Sequence, residues 1–173
     1  GNADNAIPRS AAAVVKLDTL EKLNDRINAA LSKYSANEKE IEITVSEHSG
    51  KEQIYSKADS GSIVDFIAKI PYGVHKMSEE IVGLPETSSN LGIISTKDGR
   101  VTLSALIRSA KDAEKHAVRD KIKALSDEAG AEMRAHSEYP AWEYKKDSSL
   151  QNILVNVYKK MYNQNPKILA VHA

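Results

Sequence analysis

The chain has 173 residues, which is enough for one domain with a hydrophobic core, and its 24 basic residues balance 24 acidic ones. A net charge of zero gives no long-range field that would attract nucleic acid or an anionic membrane, and no apolar run approaches the roughly 20 residues of a bilayer-spanning helix. The chain has no cysteine, which excludes disulfides, thiolate nucleophiles and sulfur-ligated metals and agrees with a cytoplasmic location.

Hydrophobic periodicity predicts four elements in the first half of the chain. The first helix follows from a capping box, in which Asp18 precedes Glu21 by three residues, and from apolar residues that then repeat at helical spacing. Alternating apolar and polar residues over 41–45 are typical of a half-buried strand. In chain order the predictions are a strand at 6–17, a helix to about residue 34, a strand at 41–45, a polar connection at 46–60 and a short helix at 63–68.

The second half opens with a predicted β-hairpin, because Asp98 and Gly99 lie between two alternating runs at 91–96 and 101–107. The same alternation places Arg108 on the face away from the apolar Val101 set, towards solvent or a ligand. A helix that stops at Gly130 follows. The remaining predictions are a strand at 131–136, an aromatic turn at 139–142, a helix over 150–161 and a strand at 168–171.

These elements total about six strands and four helices. They predict an α+β fold, a two-layer sandwich in which helices pack on one face of a mostly antiparallel sheet. The chain ends on an apolar, strand-like run, whereas natural domains usually end in polar tails. We therefore expect it to be an excised piece of a larger protein.

Two polar residues are candidates for binding a carboxylate. Arg108 offers a planar fork of donors that matches two carboxylate oxygens, and Asn5 offers a neutral amide donor. A surface ion pair for Arg108 and a backbone-capping amide for Asn5 are the alternatives.

No catalytic residue and no metal ligand is predicted. The five histidines lack the close spacing that makes a metal site recognisable, and no serine lies in a nucleophile elbow. His75 follows a proline and a glycine in what is predicted to be a loop, where functional residues are common, so it stays a candidate beside the simpler interpretation of a locally bonded side chain.

Several short motifs in one order resemble the bacterial aminoacyl-histidine dipeptidases, which belong to the di-zinc aminopeptidase and carboxypeptidase clan. The motifs span nearly the whole chain. They are Asn5 to Arg9, Pro71 to Val74, Glu86 to Gly92, Leu106 to Ser109, Ala129 to Ala131, Tyr139 to Trp142, Val157 with Tyr158, and Val171 to Ala173.

The resemblance implies a lid domain inserted in a catalytic domain. Residues 1–142 correspond to the lid and residues 143–173 to the first helix and strand of the returning catalytic domain, which is then a partner within the same polypeptide. Asn5 and Arg108 match lid positions that hold the free C-terminal carboxylate of the dipeptide substrate. Asn90 lies in another motif of the family and is the third candidate substrate-binding residue.

The two zinc ions and the glutamate base of the family have no counterpart in this chain, so the chain alone is expected to be an inactive fragment of a metallo-dipeptidase. A homodimer is expected as well. The alternative function is a self-associating structural domain without a direct ligand role.

Overall fold

A computed structural model describes residues 1–34, 38 and 40–172. The described elements are the helices α1 (Leu20–Tyr34), α2 (Lys57–Lys69), α3 (Asp112–Glu128) and α4 (Ser149–Tyr162), and the strands β1 (Gly73–Met77), β2 (Pro85–Lys97) and β3 (Arg100–Ser109). The strands form one antiparallel sheet in the order β1, β2, β3. The α+β prediction is confirmed, and none of the described helices has the length and apolar character needed to cross a bilayer.

The β2–β3 hairpin is the longest paired unit of the fold. Its turn places both Asp98 and Gly99 at positive φ, as a two-residue turn of the predicted kind requires. Lys97 pairs with Arg100 beside the turn, and pairing continues along the strands to Thr87 and Ser109.

One face of the sheet packs against α3, which in turn contacts α2. The side chains buried on this face are largely polar: Thr87 is 1% exposed, and its hydroxyl shares a hydrogen bond of 2.8 Å with the hydroxyl of buried Ser109. Ile122 of α3 and Ile70 at the end of α2 are the buried hydrophobic side chains of the described residues. The core is therefore small, and its buried hydroxyls find hydrogen-bond partners within the fold.

Local capping contacts mark the start of α2 and α4 and the end of α3. Ser56 caps α2 and Ser148 caps α4, each accepting a backbone N–H from the first turn. After α3, Gly130 adopts a φ of +65°, and the N–H of Ala131 returns to the carbonyl of Ser126 over 2.8 Å. The predicted connection at 46–60 is thus shorter than expected, because α2 already begins at Lys57.

Four predicted strands are wrong. The structure has no strand at 6–17, 41–45, 131–136 or 168–171. Alternating apolar residues show which side chains could share a face, but a strand also needs a neighbouring strand for its backbone N–H and C=O groups. Among the described residues such a neighbour exists only for β1, β2 and β3.

The strand β1 was not predicted, and its irregular pairing explains why. The register with β2 shifts on both sides of Lys76, so successive side chains do not alternate regularly between the faces. The prediction of helices packed on one face of the sheet holds for α3, whereas α1 and α4 contact no other helix or strand in the described chain.

We expect Thr87→Val to lower the free energy of unfolding by about 1–3 kcal/mol, because it removes a buried hydrogen bond and leaves the Ser109 hydroxyl with the N–H of Lys111 as its remaining partner. Thr102→Val is the matched control, since Thr102 lies exposed on β3 and should change stability by less than about 0.5 kcal/mol. Urea denaturation of both variants measures the difference. Equal midpoints would show that the hydroxyl pair does not stabilise the sheet.

Candidate functional site

The sheet face opposite α3 carries the sequence-predicted site residues. Asn90 on β2 pairs with Leu106, and Arg108 on β3 pairs with Ser88, so the four side chains alternate to the same face. Asn90 and Arg108 are then diagonal neighbours, which in an antiparallel pair lie about 7–8 Å apart.

The Asn5 segment is held on this face by Asn90. Asp4 and Asn5 form a turn, and the Asn90 side-chain amide donates to the carbonyls of Asp4 at 2.7 Å and of Ala6 at 2.9 Å. Because both partners are carbonyl oxygens, the amide nitrogen is the atom that faces them. The Asn5 side chain itself is exposed.

Gly92 allows the N-terminal segment to come this close. It lies at an irregularity between Leu91 and Ile93, where β2 has one more residue than β3. A Cβ at Gly92 would meet the backbone oxygen of Ala3 and lie 2.5 Å from the Cα of Asp4. A side chain there would displace the N-terminal turn.

The Arg108 guanidinium is available to bind a ligand. Its side chain is half-buried, and within the described residues it takes part in no ion pair and no hydrogen bond. The surface ion pair that was the alternative interpretation of Arg108 is therefore absent from the part of the chain that the structure describes.

His172 brings the C-terminal segment to the same face. Its Nε2 lies 2.6 Å from the Ser88 hydroxyl, directly across from Arg108. Burial lowers the pKa of His172, and the positive charge of Arg108 lowers it further, against a hydrogen bond with the backbone of Pro85 that raises it. Burial and the charge of Arg108 both favour the neutral form of the imidazole.

We call Ser88, Asn90, Arg108 and His172, together with the N-terminal turn that contains Asn5, the open-face cluster. It combines one permanent cation with neutral hydrogen-bonding groups, a combination suited to binding a small anion such as a carboxylate. The sequence analysis missed Ser88 and His172. Ser88 could have been found as the residue two before Asn90, on the same strand face, but no local signal pairs it with a residue 84 positions away.

His172 also lies at the edge of a cleft of about 960 Å³. The cleft is lined by residues 78–81, 84–86, 110–111, 141–145, 147–149, 151 and 170–172. Among the residues of the open-face cluster, His172 lines this space, which is large enough for a small molecule.

His75 lies on the opposite, α3-facing side of the sheet. Its Nε2 is 2.7 Å from the Ser89 hydroxyl, which donates to the carbonyl of Pro71 at 2.6 Å, so Nε2 carries the proton and donates to Ser89. Burial lowers the pKa of His75, and the charge of Lys121 on α3 lowers it further. His75 does not join the open-face cluster and ties β1 to β2.

A buried ion-pair network surrounds Glu86 at the start of β2. Glu86 is 6% exposed and lies between Lys76 at 3.4 Å and Lys111 at 3.2 Å, and Lys76 also reaches Glu114 at 2.9 Å. The contact between Lys76 and the Oε1 of Glu86 is an ion pair, since that oxygen has no hydrogen-bond partner in the described structure. This network links β1 and β2 to the start of α3.

The described residues contain no group of three histidine, cysteine, aspartate or glutamate side chains that could hold a metal ion. His48 is instead paired with Glu52, and His136 with Ser137.

Comparison with known proteins places the chain beside bacterial dipeptidases. No protein-family model matches it. It is 27% identical over 179 residues to the cytosol non-specific dipeptidase of Escherichia coli K12, in an alignment covering all of this chain and 37% of that protein. It is also similar to the crystal structure of aminoacylhistidine dipeptidase from Vibrio alginolyticus, with a TM-score of 0.74, 29% identity and coverage of 88% of this chain and 31% of that one.

The resemblance to aminoacyl-histidine dipeptidases is thereby confirmed in sequence and in fold. The chain spans about a third of the length of both relatives, so it corresponds to one segment of such a peptidase.

The lowered pKa of His75 makes stability depend on pH. As pH falls through about 6.5, the ordinary pKa of histidine, the unfolded chain takes up a proton on His75 that the folded chain resists. The free energy of unfolding should therefore be highest above that pH and decrease as the pH falls below it. His75→Gln should remove part of the fall, as measured by urea denaturation between pH 7.5 and 5.5.

His136→Gln is the control, because the His136 side chain is exposed, and it should keep the pH dependence of the unmodified chain. His172 contributes in the same direction, so some dependence should remain in the His75 variant. A His75 variant as pH-dependent as the unmodified chain would contradict the prediction.

Proposed function

We propose that this chain is the substrate-binding lid of a longer zinc-dependent aminoacyl-histidine dipeptidase. Residues 1–142 form the lid, and residues 143–173 provide the first helix and the following segment of the catalytic domain. The proposal rests on similarity to one segment of two dipeptidases and on the uncommitted guanidinium of Arg108 in the open-face cluster.

Arg108 and Asn5 bind the free C-terminal carboxylate of the dipeptide in this proposal. The Arg108 fork can donate two parallel hydrogen bonds, and the Asn5 amide donates without adding a second charge. A carboxylate fixed at one distance from the reaction centre selects dipeptides, because a longer peptide has no free carboxylate at that distance.

Hydrolysis belongs to the part of the protein outside this chain. Two zinc ions held there would supply an activated water and polarise the peptide carbonyl. The residues of this chain contribute the binding and orientation of the substrate. We therefore expect no activity from the chain alone, even with added zinc.

The proposal also covers the cellular location and the partners of the protein. A cytoplasmic location is supported by the name of the E. coli relative, a cytosol dipeptidase, and by the absence of cysteine. The balanced charge of the chain argues against nucleic acid and membranes as partners.

Self-association is the second candidate function, and one feature favours it. The apolar stripe of α4 is largely exposed, with Leu154 at 59% and Met161 at 67%, and Ile168 beyond the helix is 60% exposed. An apolar surface of this kind rarely stays in contact with water, so it packs against the catalytic domain or against a second copy of the chain.

Arg108→Ala in the full-length protein should reduce kcat/KM for dipeptides by an amount corresponding to about 2–5 kcal/mol, because a bound carboxylate loses its charged partner. Arg108→Lys should also be impaired, since an ammonium group cannot reproduce the two-pronged contact. Steady-state kinetics with a histidine-ending dipeptide measures the effect. Thermal melting should show that each variant folds.

Arg100→Ala is the matched control, as Arg100 lies exposed at the other end of the same strand and should leave kcat/KM unchanged. Full activity of the Arg108 variant would exclude the carboxylate-binding role.

Removal of residues 143–173 should leave the sheet folded but change self-association, because α4 contacts no other described helix or strand. Light scattering of the intact and shortened chains measures this. Leu154→Lys should act like the deletion, whereas Asn156→Lys on the same helix should not. If both chains were monomeric and proteases removed the tail freely, self-association through the tail would be ruled out.

A further inference from the structure

Asn90 uses both hydrogens of its side-chain amide on the N-terminal turn. The two carbonyls that accept them, of Asp4 and Ala6, stand on either side of Asn5. A single amide therefore fixes the backbone before and after the residue that the proposed function assigns to the substrate carboxylate.

The amide of Asn90 has no donor left for an anion. Its remaining polar atom is a carbonyl oxygen, and an ionised carboxylate offers only acceptors. Direct contact between Asn90 and the substrate carboxylate would thus bring two acceptors together. This argues against Asn90 as a substrate ligand, although its motif made it a candidate.

The position of Asn5 depends on such contacts because no regular element contains it. Residues 1–19 precede the first helix and belong to no strand. Gly92 contributes the second contact, since its missing side chain leaves room for the backbone of Ala3 and Asp4 against β2. Asn90 thus holds the turn by hydrogen bonds, and Gly92 lets the turn approach β2 closely.

We infer that Asn90 and Gly92 are positioning residues, which hold the Asn5 turn on the open face of the sheet so that Asn5 and Arg108 can bind one carboxylate. The inference rests on the proposed function for the roles of Asn5 and Arg108. It adds that Asn90 acts only through Asn5.

A double-mutant cycle in the full-length protein tests the inference. The variants are Asn5→Ala, Asn90→Ala and the two combined, and the measurement is steady-state hydrolysis of a histidine-ending dipeptide. We expect Asn90→Ala to lower kcat/KM about tenfold, mainly through KM, which corresponds to about 1.4 kcal/mol. In the Asn5→Ala background, Asn90→Ala should change kcat/KM by less than roughly twofold.

Gly92→Ala gives an independent variant in case Asn90→Ala does not fold, and it should reproduce the loss of kcat/KM and the dependence on Asn5. Gly61→Ala is its matched control, because a Cβ at Gly61 on α2 meets nothing within 4 Å. Gly61→Ala should keep full activity.

The outcomes separate the inference from the function on which it rests. If Asn5→Ala lowers kcat/KM but Asn90→Ala and Gly92→Ala have no effect, or have effects that simply add to it, the positioning role is overturned and the carboxylate site stands. If Asn5→Ala itself has no effect, the proposed role of Asn5 fails first, and the positioning role fails with it.

Discussion

The alternation of side chains along β2 determines what each face of this sheet can do. β2 is the central strand, paired with β1 on one side and β3 on the other. Thr87 and Ser89 alternate towards α3, where they are buried, while Ser88 and Asn90 alternate to the face that carries Arg108. A shift of one residue in the pairing of β2 would exchange the two sets, burying the amide and exposing the hydroxyl pair.

The small core has a consequence for the whole chain. Ile70 and Ile122 are the buried hydrophobic side chains of the described residues, although a chain of this length can enclose many more. Its apolar stripes on α4 and in the segment after it remain largely exposed instead. This distribution is what a segment of a larger protein should show, and it agrees with relatives about three times as long.

The parts of the fold that sequence could predict are those with local causes. The Asp98 and Gly99 turn needs only two residues that tolerate positive φ, and the helices α3 and α4 show their own periodicity and end signals. A segment such as 6–17 becomes a strand only if another strand pairs with it. The sequence of the segment does not show whether the tertiary structure provides that partner. β1 was missed because its register shifts break the alternation on which strand prediction depends.

The same distinction applies to the open-face cluster. The donor chemistry of Arg108 and Asn5 could be predicted from the residue types, and strand alternation correctly placed Arg108 away from the helices. The contacts of Asn90 with Asp4 and of His172 with Ser88 join residues 86 and 84 positions apart, for which no local pattern gives a signal. Their discovery required the structure.

Preorganisation is the physical link between this fold and the proposed function. Binding a carboxylate with a mobile loop would require that loop to be ordered at the moment of binding, which weakens affinity. Here strand pairing fixes the backbone of Arg108, and the Asn90 amide fixes the backbone on both sides of Asn5, so folding has already ordered the backbone of both residues. The lowered pKa of His172 favours a neutral imidazole beside Arg108, which lowers the repulsion within the cluster. In the proposed function, the energy of folding this sheet is partly converted into affinity for the carboxylate, and through that conversion an amide with no ligand of its own contributes to substrate binding.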